Sequence, residues 1–144
     1  MLATMKNILI PTDFSKDAQK AIDYAIHIFK REECIFYLLH AYYPFVPSAP
    51  DNRENYKQKL DELADKLDTE GHNPKHKFKD LFVFGTLANA LEETIPTYKI
   101  DCVFIGTKGS TAMREMFMGS NTFRTIKTVD SCPVMVVPNN LPFS

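Results

Sequence analysis

Short apolar runs alternate along the chain with segments of helical periodicity, and this alternation limits the possible folds more than any other feature. Residues 7–10 form a short apolar run that ends at Pro11, a pattern typical of a strand buried on both faces. Ser15 is a good helix N-cap, and after it apolar residues recur with helical spacing at Ala18, Ala21, Ile22, Ala25 and Phe29. A strand followed by an amphipathic helix is the first half of a β-α-β unit.

The same alternation continues to the end of the chain. Further apolar runs predict strands at residues 35–39, 78–84, 101–105 and 133–137. Helical spacing between these runs predicts helices over residues 56–67, 86–95 and 120–129. Because strands alternate with helices, the sequence predicts an α/β fold with an open parallel sheet, right-handed crossovers and helices on both faces.

Composition and charge narrow the classes of function. The chain has 144 residues, of which 44% are hydrophobic, and this suits one domain with a sizeable core. Its 17 Lys and Arg nearly balance 18 Asp and Glu, so it lacks the basic stripe of a nucleic-acid binder. No apolar run approaches the roughly 18 residues of a membrane span, and residues 1–6 lack the layout of a signal peptide. We therefore expect a cytoplasmic protein that contacts neither nucleic acid nor membrane.

The cysteines and histidines give weaker signals. Cys34, Cys102 and Cys132 form no C-x-x-C pair, and we expect buried structural thiols in a reducing compartment. His72 and His76 lie close together in a polar stretch, which raises the possibility of a metal site. Too few additional ligands surround them, so we expect two solvated loop histidines and no bound metal.

Two polar segments that follow predicted strands are candidates for a ligand site. Residues 11–13 follow the first strand, residues 106–109 follow the fourth, and Gly119 directly precedes the helix predicted from Ser120. In an open parallel sheet, ligands bind outside the carboxyl ends of the strands, where the strand order reverses. Glycines let the backbone approach an anion, and a helix amino terminus presents unpaired N–H groups. The pattern favours phosphate binding assisted by Lys108, although glycines that merely turn the chain remain the alternative.

The spacing of these glycines matches a known family. Gly106-x2-Gly109-x9-Gly119-Ser120 has the G-x2-G-x9-G-[ST] signature of ATP-binding universal stress proteins, which this sequence resembles. Companion segments at residues 6–15, 39–41, 83–85 and 131–137 are also similar to that family. The resemblance covers residues 5–138 and implies one domain there, followed by a tail at 139–144. It implies a three-layer, Rossmann-like parallel sheet of five strands in the order 3-2-1-4-5.

The resemblance also implies which residues contact the nucleotide. Pro11, Thr12 and Asp13 match positions that border it, with Asp13 on the adenosine side. The position of Ala41 contributes backbone contacts to the base. Ile105 is a further implied contact, and those implied around the ribose and phosphates are Gly106, Lys108, Gly109, Gly119, Ser120, Asn121 and Thr122. The implied ligand is ATP, or else AMP or ADP, with Mg²⁺ bound through the phosphates.

These features predict a nucleotide-binding regulator whose hydrolysis of ATP is slow at most. No side chain is an obvious base for water, and Arg114 is the only nearby candidate for an arginine finger. The Met-rich stretch at 111–118 is predicted to pack as a lid or to contact a partner. An adenylate-handling enzyme of related fold and a nucleotide-free dimerisation module remain the alternatives.

Assembly is the last expectation from the sequence. The final predicted strand, residues 133–137, is uniformly apolar and lies at a sheet edge in the implied strand order. An exposed apolar edge invites pairing with another chain. Family dimers commonly pair this strand about a two-fold axis, so the resemblance implies a homodimer formed through residues 133–137.

Overall fold

In the computed structural model, which describes residues 5–42, 52–106 and 132–137, the chain forms a five-stranded sheet in the order β3-β2-β1-β4-β5. Every pair of neighbouring strands is parallel. The strands are β1 (Lys6–Pro11), β2 (Cys34–Tyr42), β3 (His76–Phe84), β4 (Cys102–Gly106) and β5 (Val134–Val137). The predicted α/β fold and its strand order are confirmed.

Helices connect each of the strands β1 to β4 to the next, as the periodicity predicts. They are α1 (Lys16–Ile28), α2 (Arg53–Glu70) and α3 (Leu87–Thr97). Ser15 caps α1 by accepting a hydrogen bond from the Ala18 N–H, and Thr86 caps α3 by accepting one from the Asn89 N–H. Each cap satisfies a backbone donor that has no partner inside the helix. The helix predicted at 120–129 lies outside the described residues.

The sheet is covered on both faces. Helices α1 and α2 pack on one face, which we call the α1/α2 face, where the fully buried side chains include Ile8, Ile10, Phe36, Leu38 and Phe104. Helix α3 packs on the opposite face, which we call the α3 face, where they include Leu9, Leu39, Val103 and Ile105. Neighbouring strand residues point to opposite sides, so continuous apolar runs supply both faces.

Three strands are longer than the sequence predicts, and β1 gains one residue at each end of 7–10. β2 extends beyond residues 35–39 to include Cys34 and Tyr42, and β3 begins at His76. The added positions include polar side chains, which ended the apolar runs in the sequence. The strands continue through them because neighbouring parallel strands form hydrogen bonds with their backbone groups. Register pairs such as Cys34↔His76 and Tyr42↔Phe84 extend the ladder between β2 and β3 over its full length.

His76 contradicts the prediction of two solvated loop histidines. Its side chain is buried, its Nε2 lies 2.8 Å from the Phe29 carbonyl oxygen, and its ring meets the Phe36 ring edge-on. The pairing of β3 with β2 carries this residue into the core. His72 is exposed, as predicted, and adopts a left-handed backbone conformation with φ of 54°.

The cysteines are free thiols, and burial raises the pKa of each of them. Cys34 and Cys132 are buried as predicted, whereas Cys102 is only partly buried. The pKa of Cys34 rises to about 11, so its thiol stays protonated and unreactive at neutral pH. Among the helices that the structure describes, none combines the length and the hydropathy that a membrane span requires.

Candidate functional site

The candidate site lies where β1 and β4 run side by side at the centre of the sheet. β1 pairs with β2 on one side and with β4 on the other, so successive crossovers leave β1 in opposite directions. This is the switch point at which open parallel sheets bind ligands beyond their carboxyl ends. Pro11 ends β1 and Gly106 ends β4, which brings together two of the segments singled out in the sequence.

Thr12 is fixed in this crevice by hydrogen bonds at three of its atoms. Its N–H donates to the Leu39 carbonyl at 2.7 Å, which extends the β1–β2 ladder by one residue. Its Oγ1 accepts from the Phe14 N–H at 3.0 Å. Its carbonyl oxygen lies 2.8 Å from Nδ1 of His40. Thr12 is only 4% exposed, so it acts as an anchor for the turn that follows.

Residues 12–15 form a tight, internally bonded turn. The Asp13 Oδ1 accepts a hydrogen bond from the Ser15 N–H at 3.0 Å, and Ser15 in turn caps α1. Phe14 adopts φ of 65°. A left-handed conformation costs an L-residue with a Cβ about 1–2 kcal/mol, so the contacts around Phe14 must hold it there. The turn therefore presents Asp13 from a constrained backbone.

Gly106 is required by packing, independently of any ligand. A Cβ at this position would lie 2.6 Å from the Asp17 carbonyl oxygen and 2.9 Å from its carbonyl carbon. The first turn of α1 thus approaches the end of β4 more closely than any side chain allows. The absence of a side chain lets the start of α1, directly after the turn at residues 12–15, pack against the end of β4.

Two further residues implied by the resemblance lie on the α3 face. Ile105 is fully buried among the side chains beneath α3, so its side chain belongs to the core. Ala41 is partly buried and packs against the same core, in register with Val83 of β3. Lys108, Gly109, Gly119, Ser120, Asn121 and Thr122 lie outside the described residues.

His40 is the prominent residue of this region to which sequence analysis gave no role. Its ring lies inside a group of aromatic rings on the α1/α2 face, which we call the aromatic cluster: Phe14, Tyr42, Tyr56, Phe82 and Phe84. Burial lowers the pKa of His40, the Thr12 carbonyl and Asp13 oppose this shift, and Lys59 adds to it. The sequence signal that could have identified His40 is a polar residue at the end of an apolar run, because a buried polar group needs a hydrogen-bond partner.

A family model describes nearly the whole chain. The model of the universal stress protein family matches residues 4–138. Two curated relatives come from Methanocaldococcus jannaschii. Universal stress protein MJ0531 is 30% identical, with 92% of this chain and 81% of the relative covered. Universal stress protein MJ0577 is 27% identical, with 95% and 97% covered.

Solved structures of the family share the fold. Universal stress protein UspA from Lactobacillus plantarum is 21% identical with a TM-score of 0.67, covering 94% of this chain and 99% of that one. A universal stress protein in complex with cAMP is 22% identical with a TM-score of 0.63, covering 92% and 96%. A family member from Arabidopsis thaliana with AMP bound is 14% identical with a TM-score of 0.61, covering 94% and 92%. By sequence and by fold, this chain belongs to the universal stress protein family.

Proposed function

We propose that this protein binds an adenine nucleotide, with ATP as the first candidate, beyond the carboxyl ends of β1 and β4, and that it acts as a nucleotide-dependent regulatory module. The observation that carries the proposal is the packing of the first turn of α1, which directly follows the 12–15 turn, against Gly106 at the switch point of the sheet. Gly106 is also the first glycine of the G-x2-G-x9-G-[ST] signature. The two family structures with cAMP and AMP support the choice of an adenine nucleotide.

The proposed roles follow from the chemistry of each group. Asp13 accepts hydrogen bonds from ribose hydroxyls, because an ionised carboxylate is acceptor-only and the ribose offers donors. The backbone at Ala41 contacts the base. Phosphates are bound by the remaining signature residues, Lys108, Gly109, Gly119, Ser120, Asn121 and Thr122, and Mg²⁺ is held through those phosphates. Nucleotide then changes which partner the protein meets.

Calorimetric titration of the purified protein with ATP and with AMP tests the proposal directly. Gly119→Val should weaken ATP binding at least about tenfold, because a branched side chain obstructs close approach of the backbone to phosphate. Gly119→Ala serves as the graded control and should give a smaller loss. Equal affinity for ATP in all three proteins would remove the glycine segment from the phosphate site.

Two replacements of Asp13 separate its charge from its part in the turn. Asp13→Ala removes the acceptor for the Ser15 N–H as well as the carboxylate, whereas Asp13→Asn keeps a side-chain oxygen for that bond. Both variants should weaken ATP and AMP alike, since ribose is common to the two, and the alanine variant should lose more. A loss confined to ATP would assign Asp13 to the metal or phosphates instead.

Steady-state turnover distinguishes a regulator from an enzyme. Within the described part of the site, the Asp13 carboxylate already accepts the Ser15 N–H, which suits a structural or ribose-binding role better than that of a base. We expect ATP hydrolysis to be slow when followed by phosphate release. Rapid turnover that disappears in Asp13→Asn would favour the hydrolase alternative.

We also propose a homodimer formed through β5. β5 ends the strand order, and its neighbouring residues Met135 and Val136 are 44% and 41% exposed. Val136→Lys should shift the protein toward monomer in sedimentation, because in a two-fold interface each substitution is present twice. Phe84→Lys is the matched control: it removes an exposed apolar residue, 54% exposed, from the opposite edge strand. A monomeric unmodified protein at micromolar concentration would end this proposal.

A further inference from the structure

We propose that His40 is a positioning residue for the nucleotide site: its Nδ1–H holds the Thr12 carbonyl and thereby fixes the turn that presents Asp13. The inference rests on the proposed nucleotide function and adds a residue that the family signature does not contain. His40 contacts the turn from the neighbouring strand β2, on the face opposite to Ala41.

The hydrogen bond itself defines the state of the ring. A carbonyl oxygen can only accept, so the 2.8 Å contact between Nδ1 of His40 and the Thr12 oxygen requires a proton on Nδ1. Burial lowers the pKa of the ring, with Asp13 opposing the shift from the turn and Lys59 adding to it from α2. The neutral Nδ1–H tautomer is therefore the form that holds Thr12 at neutral pH.

The same ring supports the left-handed residue of the turn. The centroid of the Phe14 ring lies 5.0 Å from that of His40 and 6.1 Å from that of Tyr56, onto which it stacks nearly parallel. Tyr56 in turn stacks on His40 at 5.0 Å. His40 therefore contacts the turn twice, through the Thr12 carbonyl and through the Phe14 side chain. These contacts offset the cost of φ of 65° at Phe14.

The constrained turn determines where Asp13 lies. Thr12 and Phe14 flank it, and His40 touches both of them. If the Thr12 carbonyl lost its donor, the peptide that joins Thr12 to Asp13 would be free to rotate, and the carboxylate would sample several positions. A ligand would then have to order the turn on binding, which lowers affinity.

Three replacements of His40 separate the hydrogen bond from packing. Asn places an amide N–H near the position of the imidazole Nδ1, Gln places it near the position of Nε2, and Phe keeps an aromatic ring without a donor. AMP affinity, measured by calorimetry, should fall about three- to tenfold in His40→Phe and His40→Gln, the range of one buried hydrogen bond. His40→Asn should stay within about twofold of the unmodified protein, because the donor is restored. Phe82→Leu, which changes another ring of the aromatic cluster 5.9 Å from His40, is the packing control and should leave AMP affinity unchanged.

Hydrogen exchange in the nucleotide-free protein supplies a second readout. The N–H groups of Phe14 and Ser15 bond within the turn, to Thr12 Oγ1 and Asp13 Oδ1, so their protection reports its order. They should exchange faster in His40→Phe and His40→Gln and remain protected in His40→Asn. If His40→Phe does not fold, the Asn and Gln pair carries the test alone.

The outcomes distinguish this inference from the proposed function. If the unmodified protein binds AMP and the Gln and Phe variants bind it equally well, His40 does not position the site and the inference is wrong. If the turn loosens but affinity is unchanged, the role of His40 is confined to folding and the inference is again wrong. If the unmodified protein binds neither AMP nor ATP, the proposed function fails first and the inference fails with it, while hydrogen exchange still reports whether His40 holds the turn.

Discussion

The two faces of the sheet are both well buried, but they differ in the kind of side chain they bury. The α3 face is mainly aliphatic, with residues such as Leu9, Leu39 and Ile105, and Tyr37 packs there against Tyr98. The α1/α2 face combines aliphatic residues with stacked rings, as in the contact of Phe36 with Phe78 at 5.2 Å. It also encloses the polar groups His40 and His76.

The two faces therefore contribute differently to the pH dependence of the protein's stability. An aliphatic face contributes stability that depends little on pH, because its side chains carry no titrating groups in the neutral range. The α1/α2 face carries His40, whose pKa burial lowers below its ordinary value, and Asp80, whose pKa is raised to about 6. We therefore expect pH to act on the protein through the α1/α2 face, which also adjoins the turn at the candidate site.

Leu38 and Leu39 offer a matched pair to test whether both faces contribute equally to stability. They are adjacent in β2, both fully buried, and point to the α1/α2 face and the α3 face respectively. Leu38→Ala and Leu39→Ala should each lower the free energy of unfolding by about 2–5 kcal/mol, through lost burial and the cavity left behind. Urea denaturation measures both, and a loss below about 1 kcal/mol in either variant would show that its face is poorly packed.

Gly106→Ala should have the next largest effect, and it acts at the α1/α2 face. The new Cβ meets the Asp17 backbone at 2.6 Å, so α1 must shift away from β4. Such overpacking costs about 1–3 kcal/mol in the free energy of unfolding. Unchanged stability in thermal unfolding would mean that α1 moves without cost. In that case, a loss of nucleotide affinity in this variant would be attributable to the ligand site itself.

Asp80→Asn should stabilise the protein at neutral pH. Burial, the neighbouring carboxyl of Asp61 on α2 and, to a smaller extent, Asp65 together raise the pKa of Asp80 to about 6. The folded state therefore binds more protons than the unfolded state between about pH 4 and 6, and stability falls as pH rises through this window. Above pH 6, Asp80→Asn should raise the free energy of unfolding by about 1 kcal/mol. The gain is limited to this size because solvent screens the partly exposed group.

The gain in Asp80→Asn should vanish below about pH 4, where Asp80 is protonated in both states. Asp68→Asn, an exposed replacement on α2, the helix that carries Asp61, is the control for lost negative charge and should show no such pH dependence. Denaturation at several pH values makes the comparison. A constant gain at every pH would trace the effect to something other than the titration of Asp80.

The last prediction concerns His40, whose effect on the pH dependence of stability has the opposite sign. Burial lowers the folded-state pKa of His40 below its ordinary value of 6.5, so the unfolded state binds the proton more readily. Stability should fall as pH decreases below 6.5, by no more than about 1.4 kcal/mol per pH unit for one group. Measuring stability against pH in the Asp80→Asn variant removes the contribution of Asp80. Adding His40→Asn to that variant should abolish the remaining pH dependence. A flat profile in the Asp80→Asn variant would show that His40 charges freely in the folded protein.

Local sequence signals were sufficient where structure depends on neighbours along the chain. Ser15 and Thr86 identified two helix starts, because an N-cap satisfies donors only a few residues away. The alternation of apolar runs with helical spacing gave the fold class. The strand order came from the resemblance to a family, since a period of apolar residues does not state which strands become neighbours.

The sequence by itself determined that this chain forms an α/β sheet with polar segments after its first and fourth strands. Tertiary structure alone decided that His76 is buried, that Gly106 faces the backbone of Asp17, and that His40 holds the Thr12 carbonyl. Each of these depends on contacts between residues 28 to 89 positions apart. Periodicity reports which side of an element is apolar, whereas the partner of a polar atom is set only when distant segments pack together.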